Sequence, residues 1–282
     1  MSEHHNQQPD ANLLSLNTAT VRQQWTLDKI IDGCTRHDIR GISPWRDQTH
    51  ALGVKEAARR IRAHQLTVTG YCRGGMFPGA TAQQRRHNDD DNRRAVDEAL
   101  ELNAQCLVLV VGGLPEGSKD LRQARGQVRD GLATMLEYSR SVSMPLAIEP
   151  LHPMYAADRA CVNTLEQAND LCDELGDDGL GIAVDLYHTW WDAKFAQQVE
   201  RAGKSRLLAF HICDWLASTQ DLLLDRGMMG DGVIDIRGAR RTVEEQGYRG
   251  FHEVEIFSAK NWWLRDPDEV LETCKQRHLA CC

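Results

Sequence analysis

Nowhere in the 282-residue chain is there an apolar run of about 18 residues, the length a helix needs to cross a bilayer. Residues 1–10 are polar and lack the apolar core of a secretion signal. An excess of positive charge is missing as well. Lys and Arg number 33 against 41 Asp and Glu, a net charge of −8, so the overall field repels phosphate backbones and argues against a nucleic-acid partner. The nine cysteines (Cys34, Cys72, Cys106, Cys161, Cys172, Cys213, Cys274, Cys281 and Cys282) are odd in number and never fall in a C-x-x-C spacing. They read as reduced, mostly buried thiols of a cytoplasmic protein, with Cys281 and Cys282 expected on an exposed tail. No glycine-rich phosphate loop follows an early strand, as an open doubly wound sheet would require. No low-complexity linker divides the chain either. The expectation is a flexible N-terminal tail over 1–12 and a single domain over 13–280.

What is present is alternation. Strand-like segments at 13–17, 38–43, 66–72, 105–111, 145–149, 180–185, 207–213 and 250–256 are each followed by a helix-like one. The helices are expected at 25–37, 54–64, 81–103, 119–139, 164–175, 193–202, 236–246 and 267–277. The uninterrupted apolar stretch from Cys106 to Val111 suits a parallel strand covered on both faces. Eight such units predict an α/β fold closed as a (β/α)8 TIM barrel.

In such a barrel the chemistry lies at the C-terminal ends of the strands. Four consecutive strand ends carry polar groups after apolar runs: Glu149, Asp185, His211 and the pair Glu253 and Glu255. One carboxylate at a strand end is ordinarily a cap or an ion-pair partner. Several gathered in a buried mouth repel one another unless a cation neutralises them. Carboxylates with one imidazole suit a single divalent cation, Mn2+ foremost, with Mg2+, Co2+ or Zn2+ as alternatives. Glu253 and Glu255 share strand parity, so both can face the lumen, while His252 should point to the outer helices. Glu255 lies nearer the rim and is taken as the ligand, with Glu253 behind it as a substrate-binding residue or in its place.

These segments resemble the xylose isomerase-like, AP endonuclease family 2 superfamily of sugar phosphate isomerases and epimerases. The resemblance is carried by Leu146 through Pro150, Val184 through His188, Phe210 through Asp214, Gly230 through Asp235 and Gly247 through Glu255. It implies that Glu149, Asp185, His211 and Glu255 hold the metal, and that Glu149 and Glu255 exchange protons with the carbon beside a ketose carbonyl. It further implies that His188 touches a substrate oxygen and that Asp214 and Arg226 lie near the substrate's far end. A cation bound to a carbonyl and its neighbouring hydroxyl stabilises an enediolate, and a carboxylate on each face can remove and return the proton.

The loop after Glu149 brings His152 and Arg159 within reach of a ligand, and Trp191, with Tyr187 and Trp190, suits the apolar face of a sugar. The expected activity is therefore a metal-dependent isomerase or epimerase of a keto-sugar or sugar derivative, with a small sugar or glycoside as its partner. The alternative is a lyase of the same superfamily, inosose dehydratase-like or C-glycoside deglycosidase-like and acting on a 3-keto-glycoside. An AP endonuclease-like nuclease is more remote, because Arg73, Arg85, Arg86 and His87 are accompanied by Asp89, Asp90 and Asp91, a mixture that reads as a solvated face and forms no basic groove. The helical outside or the rim would serve a homo-oligomer.

Overall fold

The computed structural model describes residues 8–176 and 178–282. The first seven residues of the expected tail lie outside the described residues. Order begins before position 13, because Asp10 caps a 3-10 turn over Ala11–Leu13 by accepting from the Asn12 amide.

One parallel sheet runs through β1 (Leu14–Asn17), β2 (Gly41–Ser43), β3 (Thr67–Val68 and Tyr71–Gly75), β4 (Leu107–Val110), β5 (Leu146–Ile148), β6 (Leu180–Asp185), β7 (Leu207–Ile212) and β8 (His252–Val254). Each strand pairs with the next, and β8 pairs back onto β1 through Leu14 and His252. The third strand is broken at Thr69 and Gly70. Its first piece pairs with β2 and its second with β4. A bridge between Trp45 and Cys72 closes the ring over the break. The expected (β/α)8 barrel is therefore the fold, formed as a single domain.

The helices cover the barrel. They are α1 (Leu27–Arg36), α2 (Arg46–Leu52), α3 (Val54–Ala63), α4 (Ala82–Glu101), α5 (Leu121–Ser141), α6 (Leu165–Leu175), α7 (Leu186–Thr189), α8 (Phe195–Arg206), α9 (Ile236–Glu245) and α10 (Pro267–Cys281). Helix α1 buries Leu27, Ile30, Ile31 and Cys34, the i, i+3, i+4, i+7 stripe read from the sequence. Thr81, Asp120, Thr164 and Asp266 cap their helices by accepting from amides of the first turn. The α2 and α7 segments were not anticipated. They are short helices inserted directly after strand ends. The tail expected at Cys281 and Cys282 is also corrected: α10 runs to Cys281, and the Cys282 side chain is buried. Among the described residues no helix is long and apolar enough to cross a membrane.

Strand alternation produces two apolar layers. Leu107, Leu109, Leu146, Ile148, Ile182, Val184, Phe210 and Val254 face outward into the main core with the helices. The lumen is lined by small groups instead: Cys72, Cys106, Val108, Ala147, Ala183 and Ala209. Bulky branched side chains usually fill a barrel of this kind. Small ones leave room above them, and two residues past Ala147, Ala183 and Ala209 stand Glu149, Asp185 and His211.

His252 points outward, as its parity requires. Its Nδ1 lies 2.9 Å from Nε2 of His278, and its Nε2 lies 3.3 Å from Glu244. Burial, followed by the neighbouring His252 and Arg240, lowers the His278 pKa to about 3. The unfolded chain therefore takes up a proton near pH 6.5 that the native state refuses. The stability this confers is complete above about 6.5 and drains away as pH falls toward 3. Between pH 6.5 and 4.5 the denaturation free energy of the native protein should fall more steeply than that of His278→Leu, by about 1 kcal/mol per pH unit. Parallel slopes would show that His278 titrates normally.

Candidate active site

The four strand-end groups meet in the barrel mouth. One ligand atom from each of Glu149, Asp185, His211 and Glu255 can be chosen so that all lie within 4.8 Å of one another, and all four residues are buried. Asp185 and His211 are register partners across β6 and β7. His211 Nδ1 lies 3.0 Å from Glu149 Oε1 and 3.9 Å from Glu255 Oε2.

Glu253 sits one inward-facing position deeper than Glu255. It accepts from Asn17 Nδ2 at 2.8 Å and Thr69 Oγ1 at 2.9 Å, and its carboxylate lies 3.4 Å from His211 Nε2. Its carboxylate lies beneath His211 and faces the far side of the ring, the side from which an outer carboxylate orients a ligating imidazole.

Arg226 is also placed differently from the expectation. Rather than marking a distant end of the substrate, its buried guanidinium lies 3.1 Å from Asp185 and 3.0 Å from Glu255. It arrives on a short antiparallel ribbon, Arg226–Gly227 against Asp214–Trp215, that folds back over the mouth. Asp214 never enters the site. Its carboxylate accepts backbone amides of Trp215, Gly230, Gly232 and Ile234 at 2.9–3.0 Å, so it shapes the loop that delivers Arg226.

His188 is buried beside this group. Its Nδ1 lies 3.2 Å from the His152 amide, and its Nε2 lies 3.2 Å from Arg226 Nη2 and 3.7 Å from Asp185. Both nitrogen partners donate, and a neutral ring accepts from one of them. The His152 ring stacks on Trp215 at 5.1 Å and meets Trp191 edge-on at 5.7 Å, while Tyr187 tilts against Trp215 at 4.8 Å. Together they wall one side of the rim. Trp191 is held by an indole hydrogen bond to the His188 carbonyl at 2.8 Å.

Asn17, at the end of β1, was missed. It donates to both Glu253 and Glu255, and its own oxygen accepts from Trp45 Nε1 at 2.8 Å. Its signal in the sequence was a lone amide ending a four-residue strand.

The electrostatics show how crowded the cluster is. Burial raises the Glu255 pKa to about 8 against the pull of Arg226, with Glu149 adding to the rise. Burial works against a charged His211, but the carboxylates of Glu253, Glu149 and Glu255 outweigh it and push its pKa well up. Burial alone would raise Asp185, and Arg226, His188 and His211 bring it below the ordinary carboxylate range. Burial also lowers His188 to about 3, so this ring is neutral at physiological pH. Four carboxylates thus face one guanidinium and one shared imidazole. A divalent cation among Glu149, Asp185, His211 and Glu255 fits both the donor set and the charge deficit.

A (β/α)8 barrel with a buried, cation-ready carboxylate–imidazole cluster at the ends of β5 to β8 defines the class. Residues 31–275 match the family model described as xylose isomerase-like TIM barrel, and the chain belongs to that family. It is similar to protein SMc04130 of Sinorhizobium meliloti 1021, with 57% sequence identity, 97% of this chain and 99% of that chain covered, and a TM-score of 0.95. It is 20% identical over 274 residues to the inosose isomerase of Bacillus velezensis, covering 93% of this chain and 94% of the relative. The crystal structure of IOLI protein with a bound zinc atom shares the fold, at 18% identity, 95% and 97% coverage and a TM-score of 0.81.

Proposed function

We propose that this protein is a divalent-metal-dependent isomerase or epimerase of a keto-sugar or sugar derivative. The observation that carries the proposal is the convergence of Glu149, Asp185, His211 and Glu255 within 4.8 Å in a buried mouth. The isomerase name of a relative aligned over 93% of this chain and the zinc in a structural neighbour support it. The bound cation, Mn2+ by preference, would act as a Lewis acid toward the oxygens of a ketose.

The protein's own groups supply the rest. Glu149 and Glu255 reach the mouth from non-adjacent strands and act as the pair that takes the proton from the carbon beside the carbonyl and returns it. His188 contacts a substrate oxygen, and Arg226 balances charge on the same side. The wall of His152, Trp191, Tyr187 and Trp215 covers the sugar and keeps water out.

That wall also favours the second reading, a lyase acting on a 3-keto-glycoside, because it offers more aromatic surface than one small ketose needs. Both readings begin with the same proton abstraction. Incubation with Mn2+ in D2O, using simple ketoses, inososes and 3-keto-glycosides followed by NMR, is expected to show deuterium entering beside the carbonyl. Loss of the aglycone or of water would favour the lyase. No exchange on any of these compounds would overturn both readings.

A further inference from the structure

The second piece of β3 carries a bulge. Cys72 pairs with Val108 and Gly74 with Leu109, which leaves Arg73 as the extra residue. Strict alternation would send Arg73 outward. Tyr71 does face outward, bonded to Thr49 and Glu98, and a side chain at Gly74 would meet Leu109 and Asn92 of the outer layer. Cys72 faces the lumen, 3.6 Å from Asn17 Nδ2. The extra residue lets Arg73 line a cavity with Cys72 and Trp45 at the edge of the mouth, within electrostatic reach of Glu149, the re-aiming that bulges near active sites provide.

The backbone beyond is fixed. Gly75 has φ +105°, an added Cβ there would lie 2.1 Å from the Val110 carbonyl, and Asn92 holds its amide and carbonyl at 2.7 and 2.8 Å.

A cavity of about 370 Å³ opens here, lined among others by Arg22, Trp45, Arg46, Cys72 and Arg73. Two of its three arginines are engaged. Arg22 pairs with Asp47, and Arg46 pairs with Asp91 at 2.7 Å and Glu98 at 2.8 Å. Arg73 has neither a hydrogen bond nor an ion pair among the described residues, although it is partly buried. Burial, with repulsion from Arg159 of the loop after β5, lowers its pKa from the usual arginine value, and Glu149 is the acidic group that acts against this. Glu149 is already occupied with His211. Arg159 makes a loose 3.7 Å contact with the exposed Asp158 and lies over the Tyr155 ring at 5.6 Å. A partly desolvated guanidinium fork without a carboxylate partner can take one.

We infer that Arg73, turned into the barrel mouth by the β3 bulge, binds an anionic substituent of the substrate, a carboxylate or a phosphate, with Arg159 behind it. The keto-sugar handled by this site is therefore an acid or a phosphate ester. This rests on the reading that the mouth is a keto-sugar site.

Affinities of the Mn2+-loaded protein for 5-keto-D-gluconate, D-fructose 6-phosphate and neutral D-fructose, measured by calorimetry, test it. The wild type is expected to prefer one of the anions to fructose, and which anion wins identifies the group recognised. In Arg73→Gln that preference should shrink by about 10- to 100-fold, the worth of a hydrogen bond to a charged group. Arg73→Lys, which keeps the charge without the fork, should restore part of it. A preference unchanged in Arg73→Gln overturns the inference, as does equal affinity for charged and neutral sugars, or no measurable affinity for either anion. These binding ratios stand apart from the deuterium-exchange assay. Lost exchange on every keto-sugar would sink the enzymatic reading, whereas an unaltered ratio would sink only the role of Arg73.

Discussion

Replacing Glu149 or Glu255 by Gln should lower the rate of deuterium exchange beside the ketose carbonyl by roughly 10²–10⁴-fold, the usual worth of a positioned general acid or base. An amide cannot take the proton, and it is a weaker ligand for a hard cation than a carboxylate. The two variants should still differ. Glu149 bonds to His211, whereas Glu255 bonds to Arg226 and Asn17. If the two glutamates serve opposite faces of the substrate, each variant will keep residual exchange of one stereochemical sense when assayed with the two C3 epimers of a ketose. Equal, complete retention of activity in both would show that the proton moves elsewhere.

The second large effect concerns stability. Arg226→Met should destabilise the metal-free protein by about 3–5 kcal/mol, because it leaves buried carboxylates without their counter-charge. Asp185 is fully buried and Glu255 nearly so, at 0% and 4% exposure, and Arg226 lies within 3.1 Å of both. Guanidinium denaturation in EDTA would measure the loss. Saturating Mn2+ should recover most of it, since a cation in the cluster neutralises the same two groups. A deficit unaffected by Mn2+ would mean that Arg226 stabilises the protein through its packing against Tyr187 and Phe257, over whose rings it lies at 4.3 and 5.1 Å.

The barrel and much of the site were legible because one period governs both. In a strand buried on both faces, residues two apart share a side. Glu253 and Glu255 could therefore be placed on one side by parity, and Glu149, Asp185 and His211 by their position where apolar strands end. The places where the reading failed are those where that period breaks or the chain returns from a distance. The bulge at Arg73 leaves no mark in hydrophobicity, so that arginine read as part of a solvated basic stretch.

Arg226 and Asp214 belong to a ribbon whose strands are separated by a loop of ten residues, Leu216 to Asp225. Nothing local shows that one of them plunges into the cluster while the other is absorbed by backbone amides. Asn17 ends the shortest kind of strand signal, and its importance arises from partners more than 230 residues away. The depth of Glu253 needed the register with His211 across β7 and β8, which only the folded sheet supplies.

Three carboxylates and an imidazole at the ends of neighbouring strands should form one cation site. Direct titration of the metal-free protein with Mn2+, read by the loss of the free-ion EPR signal, tests it with no substrate needed. One tightly held Mn2+ per chain is expected, with that binding lost in Asp185→Asn and in His211→Leu and the fold retained by circular dichroism. Mn2+ that stays free in solution, or binds equally well to both variants, would contradict it.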